Sequence, residues 1–165
     1  MSQTTPMRRK DRLITSPTAI ENILKSNTIL HLGLYDEDRI YVVPVNYSYM
    51  YKEGKLTFYF HGAKAGLKHD ILTKHTSVGF EIDNGGMTIT NETDPSQFTS
   101  QYESIIGSGI VTEITEIDEK KQVAASFMKH YSPKEWTITD AMVRPTAFYR
   151  LDVKEFQAKS NPRHR

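Results

Sequence analysis

One short segment of the sequence, His61–Lys68 (HGAKAGLK), combines small residues with two lysines directly after a strand-like run. The pattern predicts that a helix of roughly ten residues begins near Ala63, with unpaired amides and the positive end of its dipole at that point. Lys64 and Lys68 would lie on one face of this helix, and Gly62 would keep the backbone accessible. These features predict a phosphate cradle. A solvated helix whose lysines bind nothing is an equally simple interpretation of the spacing.

A second segment, Tyr41–Tyr47 (YVVPVNY), alternates in the manner of a β-strand. Val43 and Val45 fall on one face, and Pro44 and Asn46 fall on the other. Because Pro44 has no N–H, the sheet ladder should be interrupted there. Neighbouring amides and carbonyls would then be free to meet a flat heteroaromatic ligand. An edge strand protected by proline explains the same residues without a ligand.

A third segment, Tyr102–Gly109 (YESIIGSG), is predicted to be part of a long strand. Tyr102 and Ser104 share one face of this strand, and Gly107 and Gly109 permit the close approach of another group. A bent barrel strand is the alternative interpretation of the two glycines.

Familiar catalytic and metal-binding patterns are missing from the sequence. Gly62 and Gly66 stand too close together for a Walker loop, and no GK[ST] follows them. The sequence has neither a GxSxG elbow nor an HExxH pair. His69 and His75 flank the end of the predicted helix, but no carboxylate is spaced to complete a recognisable metal site with them. We therefore expect no metal site.

The composition narrows the class of protein. The 165 residues fit a single domain, and 38% apolar and 25% charged residues are typical of a soluble globular chain. A formal net charge of +1 gives no reason to expect a nucleic-acid partner. No apolar run approaches the roughly 20 residues that a membrane span needs. The chain has no cysteine and no hydrophobic signal core, so we expect a cytoplasmic protein without disulfides.

Strands dominate the rest of the pattern. Ser16–Asn27 predicts a helix with Ser16 as its N-cap and Pro17 in its first turn. Consecutive strands look hairpin-linked and do not alternate regularly with helices, which favours an antiparallel barrel with helices over its openings. We predict three regions: a polar arm over 1–15, one domain over 16–157 and a polar tail over 158–165.

The chain resembles the FMN-binding split-barrel proteins related to pyridoxamine 5'-phosphate oxidase, and among them the nitroimidazole-resistance (Nim-like) branch. The most specific part of the resemblance is YFHGAKxGxK, which follows VPVNY. The other matching segments occur in family order over nearly the whole chain: MRRKDR, SVGFEI, YESIIGSGIV, DEKKQVAASFMKHYSP and AFYRLDV.

The resemblance implies a mainly β fold, a six-stranded antiparallel Greek-key split barrel with flanking helices. It also implies a homodimer with two FMN sites at the subunit interface. The phosphate would be held by Lys64 and Lys68, and His61, in an H-x-A-K motif, would contact the flavin ring or act as a catalytic proton source. The implied cofactor-binding residues are Val43, Pro44, Val45, Asn46, His61, Gly62, Ala63, Lys64, Lys68, Tyr102 and Ser104, with the partner subunit as a source of the last two.

Two functions remain open at this point. In the first, FMN takes a hydride from NADH or NADPH and passes electrons to a small acceptor, as in a nitroreductase. In the second, the protein carries or senses a flavin or haem without turnover, since related split barrels also bind deazaflavin and haem. The phosphate cradle favours FMN. The chain lacks the arginine-rich C-terminal substrate segment of pyridoxamine 5'-phosphate oxidase itself, which argues against vitamin B6 oxidation.

Overall fold

The computed structural model describes residues 7–161. The outermost parts of the predicted arm and tail, residues 1–6 and 162–165, lie outside this range. Two 3₁₀ turns, Lys10–Arg12 and Pro95–Gln97, accompany the regular elements. These elements are β1 (Leu13–Ile14), α1 (Pro17–Ser26), β2 (Ile29–Asp36), β3 (Arg39–Lys52), β4 (Lys55–Gly62), α2 (Leu67–Lys74), β5 (Ser77–Asn84), β6 (Thr88–Ile89), β7 (Thr99–Ser100), β8 (Tyr102–Ile114), α3 (Ile117–Tyr131), α4 (Asp140–Val143) and β9 (Ala147–Asn161).

Six long strands close a barrel. Their order is β9–β4–β3–β2–β5–β8, and β8 pairs with β9 to complete the circle, with every pairing antiparallel. The strands β2, β3 and β4 follow one another as a meander, and β5 returns to lie beside β2, which is a Greek-key connection. The short β1 adds two residues to the edge of β9. The predicted fold class, a mainly β antiparallel split barrel with flanking helices, is confirmed.

The alternation of side chains along the strands fills the barrel. Leu30, Leu32 and Leu34 of β2 are fully buried. On β3, Val45 and Tyr47 are buried, while Pro44 and Asn46 turn outward. A slip of one residue would move each of these sets to the opposite face, so burial of the core fixes the register on which the site depends.

Two helices pack against the barrel in different ways. Ser16 caps α1 as predicted, with its Oγ accepting a hydrogen bond from Ala19 N at 3.4 Å. The buried stripe of α1 joins the barrel core, and Tyr47 Oη donates to Leu24 O at 2.8 Å. The helix α3 instead covers the outside of the barrel, where Val123 and Phe127 form a separate apolar cluster with residues of β8 and β9.

Several elements differ from the sequence-based prediction, including the short strands β1, β6 and β7, which were not predicted. The helix α2 begins at Leu67 rather than near Ala63. The short helix α4 was not predicted at all. The strand β9 continues through Asn161, past the domain boundary predicted at Gln157, because its last residues pair with the start of β8.

No helix among residues 7–161 is both long and apolar enough to cross a membrane.

Gly109 allows β8 and β9 to approach at a shift in their register. A Cβ at this position would lie 2.5 Å from Asp152 O and 2.8 Å from Leu151 Cδ1. Gly109→Ala should therefore lower the free energy of unfolding by about 1–3 kcal/mol. Gly85→Ala is the matched control, since its Cβ would meet no described atom within 4 Å. Urea denaturation measures both variants, and equal stability of the two would contradict the crowding at Gly109.

Candidate functional site

The strands β3 and β4 separate at one end of the barrel. Their ladder ends at the pair Tyr47–Phe60. Beyond this pair, and within the described chain, Arg39–Asn46 pair only with β2 and His61–Gly62 pair only with β9. The predicted site residues of β3 and β4 therefore lie on the two facing edges of this separation.

Tyr131, the last residue of α3, shows which way the backbone of β3 points. Its hydroxyl accepts a hydrogen bond from Tyr47 N at 3.2 Å and lies 2.8 Å from Thr28 O and 3.1 Å from Tyr47 O, within donating distance of both. The N–H and C=O of Tyr47 therefore face the β2 side. Because successive residues of a strand direct these groups to opposite sides, the backbone groups of Asn46 and Pro44 face the separation.

The interruption predicted at Pro44 occurs on one side of β3 only. Pro44 keeps its register with His31 of β2, and its missing N–H falls on the edge that faces β4. This edge offers the carbonyl of Pro44 and the amide and carbonyl of Asn46. The side chains of Val43 and Val45 turn toward the core, and Asn46 Nδ2 donates to Thr28 O at 3.2 Å. The edge can thus hydrogen-bond a flat polar group without moving a core side chain.

A short loop of small residues connects β4 to α2. The loop follows Gly62 and ends at Gly66, the N-cap of α2, whose φ of 102° is a conformation that favours glycine. Lys64 therefore lies in the loop and Lys68 lies in the first turn of α2. The two lysines do not share a helical face, so that part of the prediction is wrong.

Both lysines are held by backbone carbonyls rather than by carboxylates. Lys64 Nζ donates to Arg144 O at 2.5 Å, and Lys68 Nζ donates to His61 O at 3.2 Å. Burial lowers the pKa of Lys68. Within residues 7–161 neither ammonium group forms an ion pair. Each lysine therefore keeps charge and donors available for an anion.

Gly62 makes room for the ammonium group of Lys68. A Cβ at residue 62 would collide with Lys68 Nζ and lie 3.0 Å from its Cε. Ala63 and Gly66 are exposed, so small side chains leave the first amides of α2 accessible. A helix start with accessible amides and nearby cations suits a phosphate group. The start of α2 and Lys68 therefore fit part of the predicted cradle, whereas Lys64 lies in the preceding loop and bonds the carbonyl of Arg144.

The ring of His61 lies on the outer face of β4, beneath α3. Its centroid is 4.9 Å from that of Phe127 and 5.8 Å from that of Phe148. Although the residue as a whole is exposed, shielding of the ring lowers the pKa of His61, and the charge of Lys68 lowers it further. An apolar pocket of about 210 Å³ adjoins the ring, lined in part by Ile138 and Met142. His61 can thus act as a neutral donor and acceptor beside an apolar space.

Tyr102 and Ser104 do not join the other predicted residues within one chain. Ser104 pairs with Lys159 of β9, whereas His61 pairs with Phe148 of the same strand. The eleven-residue step from Phe148 to Lys159 corresponds to roughly 35 Å of extended strand. Tyr102 Oη instead accepts a hydrogen bond from Arg12 Nη1 at 3.1 Å. A site that uses both groups must take one of them from a second chain.

Sequence reasoning missed several residues that shape the site. Phe127 and Phe148 pack on His61, Tyr131 holds Tyr47, and the carbonyl of Arg144 receives Lys64. The apolar stripe of α3 could have indicated Phe127. A backbone carbonyl such as that of Arg144 leaves no signal in the sequence.

Comparison with known families identifies the chain. The model of the family described as pyridoxamine 5'-phosphate oxidase matches residues 16–160. The chain belongs to the pyridoxamine 5'-phosphate oxidase family. The family predicted from the sequence is thereby confirmed. No curated protein sequence matches the chain at a significant level.

Several solved structures share the fold of this chain at low sequence identity. A candidate 5-nitroimidazole antibiotic resistance protein from Bacteroides thetaiotaomicron is 23% identical with a TM-score of 0.77, over 90% of this chain and 86% of that one. The flavocytochrome Anf3 from Azotobacter vinelandii is 20% identical with a TM-score of 0.77, over 96% and 73%. An FAD and heme binding protein from Mycobacterium smegmatis is 13% identical with a TM-score of 0.76, over 92% and 74%.

Replacing Lys68 by methionine should raise the pKa of His61 toward its ordinary value, because the variant removes a positive charge near the ring and keeps the apolar stem. The pKa of His61 is lowered in the folded chain. Its contribution to the free energy of unfolding is therefore complete above about pH 6.5, the pKa of an unfolded histidine, and decreases as the pH falls below that value. Lys68→Met should weaken this decrease.

Histidine resonances followed by NMR through a pH titration measure the effect, with Lys64→Met as the matched control. An unchanged pKa of His61 in Lys68→Met would show that Lys68 does not act on the ring.

Proposed function

We propose that this protein binds FMN and works as an oxidoreductase, which takes a hydride from NADH or NADPH and reduces a small acceptor. The observation that carries the proposal is Lys68, whose ammonium group lies beside the backbone of Gly62 and is bound to a carbonyl but to no carboxylate of the described chain. Lys64, in the loop before α2, is likewise bound to a carbonyl and to no carboxylate of that part of the chain. A phosphate group at this place would accept charge-assisted hydrogen bonds from both ammonium groups. The unpaired amides at the start of α2 would add further donors.

The edge of β3 would hold the ring. The carbonyl of Pro44 and the backbone groups of Asn46 face the separation and can pair with the polar side of a flavin. The ring would then lie along β3 while its phosphate reaches the start of α2. One ligand would in this way connect the two strand edges that have no ladder between them.

The bound flavin would supply the hydride chemistry. The protein would orient the ring, keep water from it and handle protons. His61 is suited to hold or release a proton at a ring nitrogen, because its lowered pKa keeps the imidazole neutral at pH 7. The apolar pocket beside His61 is suited to a small acceptor with little charge.

The structural neighbours support a flavin cofactor. They also support a second candidate function, the binding of a flavin or haem without catalysis. One is described as a flavocytochrome and another as an FAD and heme binding protein. A non-catalytic flavin or haem carrier would share the fold. The two lysines favour a ligand with a phosphate group, which FMN and FAD carry and which haem lacks.

The proposal includes a homodimer with the cofactor at the subunit interface. The distance between His61 and Ser104 along β9 is one reason, since a second chain is needed to bring such residues together. The second reason is the outer face of β2 and β3, which exposes large apolar side chains. These are Ile29, Tyr35, Ile40 and Val42, between 39% and 64% exposed.

Replacing Lys64 or Lys68 by alanine should weaken FMN binding by about ten- to a hundredfold. Each variant removes a charge-assisted contact of about 1.5–3 kcal/mol. Riboflavin has no phosphate, so its weaker binding should hardly change. Fluorescence titration of the two ligands measures the difference, and Lys74→Ala, in the last turn of the same helix, should behave like the parent. If both variants bind FMN like the parent, the phosphate assignment is wrong.

The same preparation tests the reaction. Addition of NADH or NADPH without oxygen should bleach the visible absorbance of the bound FMN. An unchanged spectrum with both donors would reject the oxidoreductase and leave flavin binding untouched. Binding of added haem with a Soret band, in a protein that does not take up FMN, would establish the second candidate instead.

Val42→Glu should convert a dimer into a monomer, because a charge placed in an apolar interface costs several kcal/mol. Light scattering at micromolar concentration measures the mass, with Gln122→Glu on the exposed face of α3 as control. A parent protein that is a monomer with FMN bound would contradict the homodimer.

A further inference from the structure

We propose a second site, in which His31, Glu81 and Asp83 bind a divalent transition-metal ion on the outer face of the barrel. The proposal goes beyond the flavin site and does not depend on it. His31 of β2 stands directly opposite Glu81 of β5 in the antiparallel ladder. Asp83 follows two residues after Glu81 and therefore shares its face of the sheet. The pairing of β2 with β5 therefore fixes the positions of all three residues relative to one another.

The side chains of these three residues already converge. One ligand atom from each lies within 4.8 Å of the other two, and His31 Nδ1 is 3.0 Å from Glu81 Oε2. A metal ion bound to nitrogen and oxygen ligands at about 2.0–2.2 Å brings its ligand atoms within roughly 4.4 Å of each other. The observed cluster therefore needs only small side-chain adjustments to enclose an ion.

The charge of the cluster is unbalanced. Glu81 and Asp83 bring two carboxylates together, and in residues 7–161 no lysine or arginine forms an ion pair with either of them. A divalent cation would neutralise both carboxylates and replace the contact between His31 and Glu81.

The donor set indicates the kind of metal. One imidazole with two carboxylates suits Zn²⁺, Mn²⁺ or Fe²⁺, whereas Ca²⁺ takes six to eight oxygen ligands. Three protein ligands would leave at least one coordination position for water. A search for local metal-binding motifs in the sequence does not find this site, because His31 and Glu81 are 50 positions apart in the chain. The proposal thus revises the expectation of no metal site, which was based on local spacing alone.

Calorimetric titration of Zn²⁺ into the full-length, tag-free and chelator-treated protein tests the site. The parent should bind one Zn²⁺ per chain, and His31→Gln and Asp83→Asn should each lower the affinity at least about tenfold. His75→Gln is the matched control, a half-buried histidine whose ring stands against Tyr35, and it should bind like the parent. Co²⁺ in place of Zn²⁺ should give a visible absorbance that His31→Gln abolishes.

Two results would overturn the proposal: no binding of Zn²⁺ by the parent, or equal binding by the parent and both ligand variants. Circular dichroism and light scattering on each variant show whether its fold and mass match those of the parent, since His31 lies on the same outer face of β2 as Ile29 and Tyr35, which we assign to the dimer. If one variant is misfolded, Glu81→Gln takes its place in the comparison. Loss of FMN binding with intact Zn²⁺ binding would count against the proposed function alone.

Discussion

The end of the β3–β4 ladder at Tyr47 and Phe60 is the constraint from which the candidate site follows. Where two neighbouring strands part, the backbone groups on their facing edges lose their partners, and such groups rarely remain unpaired when buried. On these facing edges Lys68 satisfies the carbonyl of His61, while Tyr131 satisfies the backbone of Tyr47 on the opposite side of β3, next to β2. Pro44 has no N–H to satisfy. The groups that remain on the two edges are those we assign to a ligand.

The helix α3 contacts both of the strands that border the separation. Tyr131 holds β3, while Phe127, one turn earlier, packs on His61 of β4. The two aromatic rings are stacked, with 6.3 Å between centroids and 9° between planes. Because Phe127 also belongs to the apolar cluster with Phe148, the packing of α3 on the outside of the barrel sets the geometry of the separation. Phe127 and Tyr131, which are distant in the sequence from β3 and β4, thus help to set the positions of both strands.

Local pattern was enough to predict most of the fold. Alternation along β2 and β3 and the capping pair Ser16–Pro17 follow from rules that act within a few residues. The start of α2 was predicted four residues too early, because helical spacing between Lys64 and Lys68 does not reveal that Gly66 takes a positive φ. Such local rules could not predict which side chains from distant parts of the chain are brought together by the register of paired strands.

The candidate site shows this limit most clearly. Lys64 and Lys68 were chosen for their charge, but the carbonyl that anchors Lys64 is 80 residues away in the chain. His31 and Glu81 carry no common motif and meet only because β2 pairs with β5. The face on which the ring of His61 lies follows from its parity in β4, yet its partners Phe127 and Phe148 come from later elements. The sequence therefore indicated which residue types could form the site, but not which residues they contact in the folded chain.

The state of Lys68 links this architecture to ligand choice. Its ammonium group has lost part of its hydration, as the lowered pKa indicates, and has gained a backbone carbonyl but no counter-ion among residues 7–161. An anion would restore what burial removed, and it would do so most effectively in a partly shielded place, where charges interact more strongly than in water. A neutral ring system would gain nothing from this group. Selection for a phosphate-bearing ligand would then come from an unpaired charge of the protein, while the β3 edge would contribute the orientation of the ring.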